Sequence, residues 1–234
     1  MTLEDFSSQM ERMAEAGYRG VSVGRALDGL KREDGNSSRD VVLTFDDGNR
    51  SDCEHALPIL AGHGFAATFF ITVNRVGDRD GLGEPEIRTL CAAGMEVGSH
   101  GMTHRFLTSL SKAGQEDECR RSKDLLTEIT GSDVRFFSVP GGRYTGETIH
   151  ILRAASYEGV CTSRFGYSRL DADRWALKRI PVTRSTTRGQ FSGILERSPR
   201  VVLPAYVGAA SRVMTRRVLG EGLYARLRSR MIEE

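Results

Sequence analysis

Two adjacent carboxylates, Asp46 and Asp47, directly follow an apolar stretch at residues 41–45 that predicts a buried strand, and Gly48 comes next. In an α/β protein, ligands bind outside the carboxyl ends of the strands. Two acids at such an end lose solvation, which is costly unless a positive group compensates for it. A metal ion is the simplest group that does so. The sequence therefore predicts a cation site at the end of this strand.

Two histidines supply further candidate ligands, because His100 and His104 follow another predicted strand at residues 95–99. At a spacing of i and i+4, both imidazoles lie on one side of a helical turn and can reach one ion. Two ordinary surface histidines would give the same spacing, so the pair gains weight only from the Asp pair at another strand end. The other histidines stand singly in or near predicted helices and are interpreted as surface or hydrogen-bonded residues: His55, His63 and His150.

A third candidate is the Pro140-Gly141-Gly142 sequence, which follows a predicted strand at residues 134–138. Glycine lets the backbone approach a ligand closely. Exposed backbone N–H groups at such a point can stabilise an oxyanion. A simple turn without a function is the alternative interpretation of this sequence.

The elements that must position these residues alternate between strand and helix along the chain. Such alternation predicts a parallel sheet with helical crossovers, either open or closed into a barrel. We find no internal domain boundary and predict a single domain over residues 1–234. Strands are predicted at residues 20–23, 41–45, 66–71, 95–99, 134–138, 159–162 and 177–182, with helices at residues 53–63, 84–93, 111–130 and 147–155.

Composition excludes several other classes of protein. A net charge of +2 over 234 residues does not indicate a dedicated nucleic-acid binder. The four cysteines form no CxxC pair, which excludes a zinc ribbon and favours thiols in a reducing compartment. The N-terminal residues lack the basic and apolar regions of a signal peptide, and no run approaches the ~20 apolar residues of a membrane span. We therefore expect a cytoplasmic protein.

Taken in order, the TFDDG sequence at residues 44–48, the His100-x-x-x-His104 pair and the Pro140-x-Gly142 turn resemble the polysaccharide deacetylase family, the NodB-homology domain of carbohydrate esterase family 4. The resemblance extends from about residue 41 to residue 182. It implies a distorted, incomplete (β/α) barrel, with a core at about residues 41–205 and an N-terminal helix–strand extension at residues 1–40. It also implies an enzyme that removes N-acetyl groups from an amino sugar with a divalent metal.

The resemblance also implies roles for individual residues. It implies a metal triad, a general base and an oxyanion donor, with an arginine that orients the base and a set of substrate-binding residues. Zn²⁺ is the expected ion, and the ligand types are also compatible with Co²⁺, Ni²⁺ or Mn²⁺. By this resemblance, the metal triad would be Asp47, His100 and His104, and the general base would be Asp46. The backbone N–H of Gly141 would be the oxyanion donor, and Arg179 would orient the base. The substrate-binding residues would be Pro140, Gly142, Tyr144 and Trp175, with Trp175 acting together with Asp171 or Asp173.

Two departures from the family pattern affect the mechanism. Many members carry an arginine where this chain has Ser138. The family also usually supplies a general-acid histidine after a late apolar strand, but here the predicted strand at residues 200–203 is followed by Pro204, and no histidine occurs after His150. Either the acid comes from elsewhere, or water and substrate groups suffice, or activity is weak. The alternative functions are a catalytically weak carbohydrate-binding protein that retains the metal site, and a deformylase or other amidase on the same scaffold.

The C-terminal segment, at about residues 206–234, is basic and contains a predicted helix over residues 213–231. Its leucines, Leu219, Leu223 and Leu227, fall on one stripe with arginines around it. A helix packed on the barrel is one interpretation, and a helix at a membrane surface near anionic lipid is the other. The second would suit an enzyme that acts on a lipid-linked or nucleotide-linked amino sugar.

Overall fold

A curled sheet of six parallel strands, with helices around it, forms an incomplete barrel at the centre of the chain. The computed structural model describes residues 2–29, 39–168 and 173–208. The six strands of this sheet pair in chain order, from β3 at one end to β8 at the other. In chain order the elements are α1 (Leu3–Glu15), β1 (Arg19–Val21), α2 (Val23–Gly29), β2 (Asp40–Val42), β3 (Thr44–Phe45), α3 (Leu57–Gly62), β4 (Thr68–Ile71), α4 (Glu84–Ala92), β5 (Glu96–Ser99), α5 (Lys112–Thr130), β6 (Phe136–Ser138), α6 (Gly146–Ala154), β7 (Gly159–Phe165), β8 (Leu177–Arg179) and α7 (Arg188–Leu195).

The fold class implied by the resemblance is therefore confirmed. Consecutive pairing of parallel strands requires a crossover between each pair, and helices supply most of them. Aromatic side chains fill much of the interior. Two pairs of consecutive phenylalanines are fully buried, Phe69 and Phe70 on β4 and Phe136 and Phe137 on β6.

Helix boundaries follow local chemistry. The side chain of Thr2 caps α1 and exchanges hydrogen bonds with Asp5. Ser111 accepts from the backbone of Gly114 at the start of α5, and Gly131 ends that helix in the left-handed region at φ 67°. The helix predicted at residues 53–63 begins differently, because residues Asp52–Ala56 form a π-helical turn before α3.

The single buried strand predicted at residues 41–45 is wrong in two respects. The stretch is divided between two sheets, since β2 pairs with β1 and β3 pairs with β4. The chain changes partner at Leu43, whose N–H donates to Val21 O and whose carbonyl accepts from Thr68 N. The stretch is also half-buried or exposed, with Val42 at 42% exposure.

The chain divides into two compact units, Met1–Arg184 and Ser185–Glu234. The first unit contains both sheets. In the second, the predicted strand at residues 200–203 is wrong, because residues 199–208 are helical. That helix begins where the N–H groups of Val201 and Val202 donate to Ser198 O. The organisation as one catalytic domain stays a prediction.

The predicted C-terminal helix at residues 213–231 lies outside the described residues. Within the described part of the chain, no helix combines the length and the apolar character needed to cross a membrane.

Candidate functional site

The two carboxylates that follow β3 are directed to different partners. Asp47 has a φ of 82°, a left-handed conformation that is uncommon and strained for a residue other than glycine. Gly48 also has a positive φ, and a Cβ there would lie 3.0 Å from the side chain of Ile71. The turn is thus held against the end of β4. It directs Asp47 towards the histidines and leaves Asp46 to pair with Arg179.

Both histidines face Asp47. The Nε2 atoms of His100 and His104 lie 3.5 and 3.2 Å from Asp47 Oδ1. One ligand atom from each of the three residues lies within 4.8 Å of the others. The structure therefore brings the three predicted metal ligands together.

The tautomer of His100 is set by Ser138. The ring is 3% exposed, and its Nδ1 lies 2.7 Å from Ser138 O. Because a carbonyl oxygen only accepts, Nδ1 carries the proton, and the lone pair of the neutral ring is on Nε2, which faces Asp47. Burial lowers the pKa of His100, which favours the neutral ring that binds metals.

The loop that carries the histidines differs from the helical turn predicted from their spacing. Residues 100–106 are not helical. Gly101 and His104 have φ values of 82° and 60°. The two rings still converge, with centroids 5.0 Å apart. The helical turn predicted from the i, i+4 spacing is therefore wrong, although the two imidazole rings do converge.

Arg179 holds Asp46 with two hydrogen bonds. Nη1 and Nη2 donate to the two carboxylate oxygens, each at 2.8 Å. Nη2 also donates to Ser138 Oγ at 3.0 Å, and Nε donates to Thr162 O at 3.1 Å. Burial raises the pKa of Asp46, but the hydrogen bonds and charge of Arg179 outweigh it and hold the pKa below the ordinary value. Asp46 is therefore an oriented carboxylate at neutral pH.

The Pro140–Gly142 turn lies at the same edge of the sheet, because it follows β6. Gly141 and Gly142 have φ values of 62° and 68°. A Cβ on Gly141 would lie 2.3 Å from the ring of Phe106, so only glycine fits there. The guanidinium of Arg143 lies 3.9 Å from the centroid of the same ring. Phe106 and Arg143 thus form a wall beside the predicted oxyanion donor.

Comparison with known proteins agrees with this arrangement. A family model of polysaccharide deacetylases matches residues 33–160. The chain belongs to the polysaccharide deacetylase family. Members of this family are enzymes that act on amide bonds, and the chain is accordingly an enzyme of this type.

Individual relatives and structures show how far the similarity extends. The chain is 26% identical to the Bacillus subtilis protein YxkH over 193 residues, or 82% of this chain and 69% of that one. It is 38% identical to a chitooligosaccharide deacetylase of Bradyrhizobium over 149 residues, 63% of this chain and 65% of that one. For a chitooligosaccharide deacetylase of Rhizobium leguminosarum, the match spans only 42% of the relative's length. The fold is similar to that of the Streptococcus pyogenes deacetylase PplD, with a TM-score of 0.77, 23% identity, and coverage of 83% of this chain and 85% of that chain.

The structure does not bring Trp175 into the site. Trp175 precedes β8 and therefore lies at the opposite end of this strand from Arg179. Its ring lies under the guanidinium of Arg153, in the last turn of α6, at 4.6 Å. Asp173 accepts the backbone N–H of Trp175. These positions do not support the substrate-binding role that the family resemblance implied for Trp175, and Asp171 lies outside the described residues.

The substrate-binding roles of the remaining residues stay predictions. Pro140 is buried, and Gly142 packs so closely on Ser163 that a Cβ would lie 2.5 Å from it. Tyr144 is half-buried between the turn and α6.

Two residues of the site were missed as functional groups by sequence reasoning. Ser138 was noted only as a departure from the family's arginine. In the structure its carbonyl accepts from His100 Nδ1 and its hydroxyl accepts from Arg179, so Ser138 connects His100 with the arginine that holds Asp46. Glu118 on α5 accepts hydrogen bonds from the histidine loop. Nothing in the sequence around Glu118 distinguishes it from the other acids of this polar helix.

Proposed function

We propose that the protein is a metal-dependent N-deacetylase of an amino-sugar substrate. The observation that carries the proposal is the convergence of Asp47, His100 and His104 beside an Asp46 carboxylate that Arg179 holds in place. These groups supply both a metal site and a base at one edge of the sheet.

The donor set fits a divalent metal. It consists of two imidazole nitrogens and one carboxylate oxygen, the kind of three-residue set found in catalytic zinc sites, which leave a position open. The hydrogen bond from His100 Nδ1 to Ser138 O is the support that metal-binding histidines usually have. Zn²⁺ is our first choice, and Co²⁺, Ni²⁺ or Mn²⁺ suits the same ligands. When bound, such an ion lowers the pKa of water and polarises the amide carbonyl.

The chain's own residues supply the proton transfers and orientation. Asp46 takes the proton of the attacking water, and Arg179 keeps the carboxylate ionised and fixed for this step. The backbone N–H of Gly141 donates to the oxyanion that develops on the amide. Because Arg179 lowers the pKa of Asp46, the Asp46 carboxyl group readily gives up the proton that it has taken from water. We propose that Asp46 returns the proton to the leaving amine, which accounts for a chain without a late histidine.

We propose an N-acetylated amino sugar as the substrate, free in an oligosaccharide or polysaccharide or linked to a lipid or nucleotide. The similarity to chitooligosaccharide deacetylases supports the first form. The wall of Phe106 and Arg143 lies where a sugar that presents its acetamide to Gly141 would pass.

The test is acetate release from chitooligosaccharides and acetylated sugar nucleotides, with the chelated protein, with Zn²⁺ restored, and with Asp46→Asn as the matched control. We expect acetate only from the metal-loaded wild type. Sugar binding without acetate release would indicate a carbohydrate-binding protein instead, and formate release from N-formyl substrates would indicate a deformylase.

A cytoplasmic location and peripheral membrane contact through residues 213–231 are also proposals. The membrane contact is supported by the basic, leucine-striped sequence of that segment. Equal sedimentation with anionic liposomes of the full chain and of a chain ending before Val213 would refute the membrane contact.

A further inference from the structure

The loop between the two histidine ligands is fixed by a helix that contributes no ligand itself. The loop contains Gly101 and His104 in left-handed conformations, and neither helix nor strand hydrogen bonds hold it. A loop of this kind keeps two imidazoles on one point only if other groups bind its backbone.

Glu118 of α5 is the main such group. Its Oε2 accepts the backbone N–H groups of Met102 and Thr103 at 2.7 and 3.0 Å, and its Oε1 accepts the Thr103 hydroxyl. Glu118 is only 7% exposed. A carboxylate this buried is costly unless it is hydrogen-bonded, and bonds to an ionised acceptor are stronger than neutral ones. The carboxylate and the loop therefore stabilise each other.

Further contacts fix the loop on both sides. Ser99 Oγ accepts the Gly101 N–H at 3.1 Å and donates to Ser122 Oγ of α5 at 2.8 Å. A Cβ on Gly101 would lie 3.1 Å from Glu118 Oε2, so glycine leaves room for the carboxylate. On the other side, the Asn74 N–H donates to Met102 O. The carboxylate thus binds the middle of the segment whose ends carry the ligands.

We propose that Glu118 is a positioning residue that sets the separation of His100 and His104 and thereby the affinity for the metal. The inference rests on the metal site proposed above. It predicts an effect on metal binding in protein that remains folded. A purely structural role would instead lower stability and leave the affinity of the folded protein unchanged.

Three variants separate these two roles. Glu118→Ala leaves two backbone N–H groups without their acceptor. In Glu118→Gln, the amide oxygen can accept both N–H groups, while its NH₂ donates to the Thr103 hydroxyl, which then acts as acceptor. Leu126→Ala removes a fully buried side chain about two turns further along α5, and so destabilises the same helix without touching the loop.

The experiment measures the Zn²⁺ dissociation constant of each chelated, full-length variant by competition with a chromogenic chelator, together with the Tm of the metal-free protein. We expect Glu118→Ala to weaken affinity by about 10- to 100-fold, the usual effect of removing a group that supports a ligand. Glu118→Gln should restore most of the affinity, and Leu126→Ala should bind like the wild type despite a lower Tm. If Glu118→Ala does not fold, Glu118→Asp, which keeps the charge but shortens its reach, should show the same loss in smaller measure.

The possible failures are distinguishable. A wild type that binds no Zn²⁺ would remove the proposed metal site and this inference together. Wild-type binding with an equal dissociation constant in Glu118→Ala, or in Glu118→Asp where Ala does not fold, would overturn the inference alone. An equal loss in Leu126→Ala would also overturn it, because the loss would then follow from general destabilisation.

Discussion

Replacing Arg179 with methionine is expected to raise the pKa of Asp46 and to move the acid limb of the pH–rate profile to higher pH. In the native site, burial raises the pKa of Asp46, and the bonds and charge of Arg179 lower it. In Arg179→Met the burial remains and the compensation is lost. Because a base accepts a proton only when ionised, activity falls as the pH drops through its pKa, so a higher pKa makes that fall begin at higher pH.

The magnitude follows from the geometry. Two unit charges about 4 Å apart interact by about 4 kcal/mol at an effective dielectric constant of about 20, or about three pKa units. The side chains of Arg179 and Asp46 are 20% and 32% exposed, so solvent screens part of this interaction. We therefore expect the acid limb to move to higher pH by less than the unscreened interaction would give. Loss of orientation should lower kcat as well, by up to the ~10²- to 10⁴-fold that a positioned base contributes.

The assay is kcat/KM for acetate release by the Zn²⁺-loaded wild type, Arg179→Lys and Arg179→Met between about pH 4 and pH 9. Lysine keeps the charge but cannot bind both carboxylate oxygens, so Arg179→Lys should lose rate with a smaller pKa shift. Arg25→Met, which removes an exposed arginine of α2, is the control for net charge. An acid limb in folded Arg179→Met that coincides with that of the wild type would refute the view that Arg179 sets the ionisation of Asp46.

Four further predictions concern single residues. Asp46→Asn should bind Zn²⁺ like the wild type and lose turnover; normal turnover would exclude Asp46 as the base. His100→Ala should abolish Zn²⁺ binding in equilibrium dialysis, and retained stoichiometric binding would contradict the assigned ligand set. Gly141→Ala should impair folding or turnover, because a Cβ is strained at φ 62° and would lie 2.3 Å from a phenyl ring; an unchanged Tm and rate would contradict this. Burial raises the pKa of Asp52 to about 7, so the metal-free folded protein retains a proton that the unfolded chain releases from about pH 4 upward. Its free energy of unfolding, measured with urea, should therefore fall with rising pH across this window by up to about 4 kcal/mol relative to that of Asp52→Asn. A difference in unfolding free energy between the wild type and Asp52→Asn that stays the same at every pH would be inconsistent with the raised pKa.

The convergence of Asp47, His100 and His104 could be predicted from the sequence because the geometry of a parallel sheet is general. The carboxyl ends of parallel strands meet at one edge, so Asp47 after one strand and His100 after another are expected at the same edge of the sheet. The partner of Asp46 came from the family resemblance, and the structure places Arg179 there. Backbone detail did not follow, because apolar runs do not reveal where a strand changes partners, as it does at Leu43.

The position of Trp175 and the roles of Glu118 and Ser138 did not follow from the sequence for a different reason. Trp175 was assigned to the site through the family resemblance alone, and the structure places it at the other end of β8 from Arg179. Glu118 and Ser138 were missed because their roles depend on which backbone groups face them. Hydrogen bonds between residues distant in the chain leave no periodic signal in the sequence.

Arg179 also explains how an incomplete barrel can hold a precise site. β3 and β8 are the two ends of the strand order, and Arg179 of β8 reaches Thr44 Oγ1 and Asp46 at the β3 end. Arg179 donates five hydrogen bonds, two to Asp46 and one each to Thr44, Ser138 and Thr162. These bonds use all five donors of the guanidinium. Their acceptors lie on β3, β6 and β7 or directly after β3. The side chain that orients Asp46 therefore also connects the two ends of the sheet. Because lysine has three donors on one atom and cannot span this set, the arrangement requires arginine at this position.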